Sequence, residues 1–181
     1  MEILLGVIGI LILIAVFMYN RLITLRNSVK NAWSGIETQL QRRYDLIPNL
    51  VETVKGYMAH EREVLESVTK ARTAFLNADS VKETAQAENM MAGALKTLFA
   101  VSENYPELKA SQNFLMLQEE LAGTENKVSY ARQRYNNSVM DYNTAIQKFP
   151  ANLFAGMFGF KETDFFEVEN VEARQAVKVK F

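Results

Sequence analysis

The chain has 181 residues, with 20 Lys plus Arg against 21 Asp plus Glu, one histidine and no cysteine. Glu2 is the only charge in the first 20 residues, so the rest of the chain balances to zero, without the basic excess of a nucleic-acid binder. The lack of cysteine excludes disulfides and thiolate metal sites, and a single histidine leaves little room for metal or acid–base chemistry.

The first element is apolar. Ile3 to Met18 is an uncharged run of sixteen apolar or glycine positions, including Ile3, Leu4, Leu5, Ile8, Ile10, Leu11, Leu13, Val16, Phe17 and Met18. At about 1.5 Å per residue it reaches roughly 24 Å, a short membrane span completed by its flanking residues. A cleaved signal peptide needs basic residues before the run and small residues at its end. Only Glu2 precedes it, and it closes on Val16-Phe17-Met18-Tyr19-Asn20, so the expectation is a retained anchor. Arg21, Arg26 and Lys30 follow the span and no base precedes it, which places the remainder on the cytoplasmic side. The division expected is an anchor over 1–20, a helical bundle over 21–150 and an aromatic-rich segment with an extended tail over 151–181.

From Leu22, apolar residues recur at Leu25, Val29, Trp33, Ile36, Leu40 and Tyr44 in steps of three and four, predicting an amphipathic helix continuous with the anchor. As a core residue on that stripe, Trp33 mutated to Ala would cost about 3 to 5 kcal/mol. A second helix is expected through Leu50, Val54, Tyr57, Met58, Leu65, Val68, Ala71 and Phe75, with Asp45 as its cap and Pro48 in its first turn. Arg42 and Arg43, at the corner, either pair with glutamates or, with Arg21, Arg26 and Lys30, meet lipid headgroups or a partner.

Asn77-Ala78-Asp79-Ser80 breaks the pattern. A third helix follows through Ala87, Met91, Ala94, Leu95, Leu98 and Val101 towards Tyr105-Pro106. The fourth runs from Phe114 to Phe149, a rod of roughly 55 Å with one gap in its stripe at Thr124 or Glu125. Four apolar stripes and no period-two strands in this stretch predict an all-α protein: an antiparallel four-helix bundle of long, coiled-coil-like helices. After Pro150, the aromatic segment containing Phe154, Met157, Phe158, Phe160, Phe165 and Phe166 either packs back as a lid or offers an exposed patch to lipid or a second copy. The closing Val177-Lys178-Val179-Lys180-Phe181 alternates like an extended arm.

No chemistry-bearing constellation emerges. His60 beside Glu61 and Glu63 has neither the second histidine of a zinc helix nor the Glu-x-x-His pairing of a di-iron bundle. Glu119, Glu120 and Glu125 fall among Lys127, Arg132 and Arg134, as on a solvated face. Nothing points to catalysis, a cofactor or a metal.

The strings Asn31-Ala32-Trp33-Ser34, Arg42-Arg43-Tyr44-Asp45-Leu46-Ile47-Pro48-Asn49-Leu50-Val51, Glu103-Asn104-Tyr105-Pro106-Glu107-Leu108, Ala131-Arg132-Gln133-Arg134-Tyr135-Asn136, Tyr142-Asn143 and Phe149-Pro150 together resemble the LemA family over nearly all of the chain after the anchor. The resemblance implies a bacterial inner-membrane protein with an N-terminal anchor and a helical domain, and no enzyme. A magnetosome relative associated with membrane invagination makes membrane organisation the functional expectation. Three readings follow: a self-assembling scaffold whose partners are lipid and further copies of itself, an adaptor recruiting a protein partner such as a membrane protease or sensor, and, with least support, an unrecognised enzyme.

Overall fold

A computed structural model describes residues 1–167, and the alternating tail expected at Val177–Phe181 lies outside them. Within those residues the protein is all-helical, with α1 Glu2–Lys55, α2 Arg62–Leu76, α3 Val81–Ser102, α4 Pro106–Lys109, α5 Gln112–Gln147 and α6 Ala151–Met157. No strand forms among the described residues. The chain divides into two compact units, one of residues 1–42 with 124–165 and one that includes residues 43–123.

In the first unit, the early part of α1 packs along the late part of α5. Leu22, Val29, Ala32, Ile36 and Leu40 are buried on α1, and Val128, Tyr135, Val139, Tyr142 and Ile146 on α5. These are the steps of three and four that keep one stripe facing a partner helix. Trp33 meets Tyr135 with ring centroids 5.3 Å apart. The gap expected at Thr124 is filled, because that threonine is buried in line with the stripe. Trp33 itself is only half-buried. Losing it removes a flank of the stripe rather than its centre, so Trp33→Ala should cost about 2 to 3 kcal/mol, below the range for a fully enclosed aromatic. Urea unfolding of the variant in detergent checks this, and a loss above about 4 kcal/mol would restore Trp33 to the core.

The second unit corrects the expected second helix. Asp45 is not a cap and Pro48 does not open a helix: α1 runs through both to Lys55. A proline inside a helix leaves the carbonyl four residues earlier without its donor. Here that carbonyl belongs to Tyr44, and Arg72 Nε on α2 donates to it at 3.4 Å. The break falls at Gly56-Tyr57 instead, where Tyr57 N and Met58 N both donate to Val54 O at 2.9 Å. The core of this unit holds Tyr44, Ile47, Leu50 and Val54 of α1, Val68 and Ala71 of α2, Met91, Leu95 and Leu98 of α3, and Phe114 and Leu121 of α5. At the start of α3, Ser80 Oγ accepts from Glu83 N and the Glu83 carboxylate accepts from Ser80 N, a complete capping box. The Asp79 backbone donor, followed by Ser80, holds the Glu83 carboxyl below its ordinary value.

Candidate membrane-proximal site

Residues 1–20 of α1 make almost no contact with the rest of the protein: Ala15 and Met18 are half-buried and all the others are exposed. Among the described residues α1 is the one helix long and apolar enough to cross a membrane, and its apolar window is unburied. A soluble domain would cover such a stripe, because leaving large aliphatic side chains in water forfeits about 1.5 to 3 kcal/mol each.

At the end of this stretch, α1 meets the C-terminal segment. Tyr19 has Phe158 edge-on at 5.0 Å between centroids and Phe160 at 5.9 Å. The Arg26 guanidinium lies 5.4 Å over the Phe160 ring, within cation–π range. Helix α6 ends with Phe160 N donating to Ala155 O at 2.9 Å, and Gly159 takes φ +69°. This is the Schellman arrangement, whose left-handed residue glycine adopts without penalty. It turns the chain so that Phe160 is buried beside Tyr19 and Arg26.

The six aromatic-segment residues are therefore not one exposed patch. Phe160 and Phe166 are buried, Phe154 is half-buried, and Met157, Phe158 and Phe165 are exposed. Ring contacts and the glycine turn sequester Phe160, a consequence of chain direction that composition does not carry.

After Phe160 the chain is strapped along α5 by side chains that capture its backbone. Tyr142 Oη donates to Lys161 O at 3.0 Å and Tyr135 Oη to Asp164 O at 2.9 Å. Between them, Asn143 Nδ2 donates to Thr163 O at 2.9 Å and Asn143 Oδ1 accepts from Thr163 N at 3.0 Å. Gln147 Nε2 donates to Glu162 Oε1 at 2.7 Å. Sequence reasoning missed this strap. Its only local signal is that polar Asn143 and Gln147 and hydroxylated Tyr135 and Tyr142 share one side of an otherwise apolar stripe.

Burial, reinforced by the Asp164 charge, pushes the Tyr135 phenol up to about 12, and burial also raises Tyr142. A raised phenol favours the folded state while protonated. That stability is complete below the free value of 10.0 and is lost as pH rises towards about 12. The urea midpoint should therefore fall between pH 10 and pH 12, with a shallower fall in Tyr135→Phe. An identical alkaline slope in that variant would refute the assignment.

The basic residues separate in the same way. Arg21, Arg26, Lys30 and Arg42 are exposed, whereas Arg43 is buried in an ion pair with Glu88 of α3. Tyr44 Oη also reaches Glu88, at 3.4 Å, and the Tyr44 ring stacks on Phe75 at 3.9 Å between centroids. Burial, and then the Glu88 charge, push the Tyr44 phenol far upward. Arg43 thus cannot reach a headgroup or a partner. Its pairing with a glutamate is the other of the two readings open from the sequence.

His60 is exposed in the turn after α1, and Glu61 accepts from Tyr105 Oη at 3.0 Å, which raises the Tyr105 phenol. Among the described residues no group of three or more acidic or histidine side chains gathers around a point that could hold a metal. A groove of about 400 Å³ opens between α1 and α5 of the first unit, edged by Gly35, Gln39, Lys127, Tyr130 and Arg134.

The family model described as "LemA family" matches residues 32–181. The chain is 28% identical over 170 residues to Protein LemA of Metamycoplasma hominis, an alignment covering 91% of this chain and 76% of that protein. It is 25% identical over 175 residues to Magnetosome protein MamQ 2 of Paramagnetospirillum magneticum and 24% identical over 174 residues to Magnetosome protein MamQ of Magnetospirillum gryphiswaldense. Both magnetosome alignments cover 82% of this chain but 64% of the relative, so the chain spans slightly under two thirds of those proteins.

Proposed function

The chain belongs to the LemA family, and on that premise we propose that it is a non-enzymatic, membrane-anchored scaffold that self-assembles to organise or shape a bacterial inner membrane. The observation that carries this reading is the single unbroken helix α1, which joins an exposed apolar stretch to packed structure with no linker between them. A helical connection passes orientation from the lipid to the domain, whereas a flexible linker would uncouple the two. Residues 1–20 are the anchor in this reading, the basic Arg21, Arg26 and Lys30 keep the domain cytoplasmic, and the helices form an antiparallel bundle that repeats laterally through copies of the chain. The magnetosome relatives support membrane organisation as the process.

The test is the mass and shape of the full-length protein extracted with its native lipid, by light scattering and electron microscopy. Large, ordered, lipid-containing assemblies are expected. A monomer would overturn self-assembly and leave the second reading, an anchored adaptor, which the groove edged by Gly35, Gln39, Lys127, Tyr130 and Arg134 favours as a place for a protein partner.

A further inference from the structure

The segment from Phe149 to Phe160 contains no charged residue, and its apolar side chains divide between two faces. Ala151 and Ala155, four apart, are buried. Phe149, Leu153 and Met157, also four apart, are 80%, 61% and 76% exposed, and Phe158 is 52% exposed. A spacing of four on a helix sets side chains one above another, so Leu153 and Met157 stack on the outward side of α6. The exposed Phe149 and Phe158 flank the helix at its two ends and extend an apolar ridge. Proteins seldom leave such a ridge in water without a partner for it.

Position identifies the partner. Phe158, at the end of the ridge, touches Tyr19, which closes the apolar span. The Arg26–Phe160 contact and the Gly159 turn fix the segment there. Tyrosine at the end of a span sits at the headgroup level, where an amphipathic ring has one end apolar and one end wet. The ridge therefore continues the surface of the span outward at the depth where lipid begins. Two exposed lysines, Lys148 and Lys161, bracket the uncharged stretch, as suits an anionic lipid surface, while the carboxylate of Glu162 is engaged with Gln147.

We propose that α6 with its flanking residues is a second membrane-contacting element, an interfacial helix whose Leu153 and Met157, together with Phe149 before it and Phe158 after it, enter the lipid surface beside the anchor. The proposal rests on α1 being a membrane anchor. Its consequence is geometric: a lone span can tilt and turn in the bilayer and carry its domain with it, whereas a span with an adjoining interfacial helix fixes both. A scaffold that imposes a shape on its membrane needs that fixed orientation.

The absence of cysteine makes the test direct, because single cysteines can be placed without removing any. Full-length Ile8→Cys, Leu153→Cys, Met157→Cys and Tyr130→Cys are each labelled with an environment-sensitive fluorophore. All are reconstituted into phosphatidylcholine–phosphatidylglycerol vesicles carrying nitroxide lipids with the quencher either shallow or deep. An interfacial helix lies about 5–10 Å into the headgroup and acyl boundary, so labels at 153 and 157 should lose emission chiefly to the shallow quencher. The label at 8 should lose it to the deep one. The label at 130, exposed on α5, should lose it to neither.

Quenching at 8 without quenching at 153 and 157 overturns the interfacial helix and leaves the anchor standing. No quenching at 8 overturns the anchor and the proposal together. Labels at 153 and 157 that are blue-shifted yet unquenched by lipid, and that return to the water-exposed emission when diluted with unlabelled-lipid vesicles, would show a second copy covering the ridge. That result also overturns the proposal.

Discussion

Replacing Glu88 by alanine should destabilise the protein by about 3 to 5 kcal/mol, the range for removing one partner of a buried ion pair. Arg43 and Glu88 are both buried, and the guanidinium that remained would keep its charge with no carboxylate opposite it. Tyr44 Oη would lose its acceptor at the same time, and the stack of Tyr44 on Phe75 would lose one of its restraints. Folded proteins hold only about 5–15 kcal/mol in reserve, so this single change consumes a large part of it. Urea unfolding followed by far-ultraviolet circular dichroism in detergent measures the loss. The double variant Arg43→Met with Glu88→Leu should recover most of it, because a packed apolar pair of similar volume often matches or exceeds a buried ion pair. A loss below about 1 kcal/mol in Glu88→Ala would mean that water reaches the pair and that it behaves as a surface bridge.

That ion pair also shows where the sequence stops being legible. The apolar stripes are local and periodic, so spacing alone assigns Leu22, Val29, Ile36 and Leu40 on α1 and Val128, Tyr135, Val139 and Tyr142 on α5 to core faces, where all eight lie. Spacing cannot assign Arg43, because burying a charge depends on a partner 45 residues away. The same holds for Pro48. Its local rule ends or opens a helix, yet a donor on Arg72, 28 residues from Tyr44, serves the carbonyl that proline leaves bare, and the helix continues. One missed signal is local: Ser80-Val81-Lys82-Glu83 spells a capping box at a point where the polar residues suggest only a break. The separation of Phe160 from its exposed neighbours depends on a left-handed Gly159, a turn that an aromatic-rich composition conceals.

The second large effect is expected at Asn143, whose amide does for the strap what a neighbouring strand does in a sheet. It donates to Thr163 O and accepts from Thr163 N, so one side chain satisfies both polar groups of a backbone residue that is itself part-buried. Asn143→Ala removes both bonds and strands both backbone groups, each at a penalty of about 1–3 kcal/mol, for a total of about 2 to 6 kcal/mol if the strap stays in place. Release of the strap limits that loss, because the freed groups regain water, and the outcome then shows as trypsin cleavage at Lys161 rather than as a full shift in the unfolding midpoint. Asn143→Asp separates the two bonds: its carboxylate still accepts from Thr163 N but sets a negative oxygen against Thr163 O where a donor stood, so its loss should at least equal that of alanine. The strap begins at the residue after Phe160, so loosening it also loosens the contact that pins α6 beside Tyr19. In the vesicle experiment, Asn143→Ala should accordingly weaken quenching at residue 157 while leaving residue 8 unchanged. A variant with wild-type midpoint, wild-type resistance at Lys161 and undiminished quenching at 157 would show that the Tyr135 and Tyr142 hydroxyls hold the strap without Asn143.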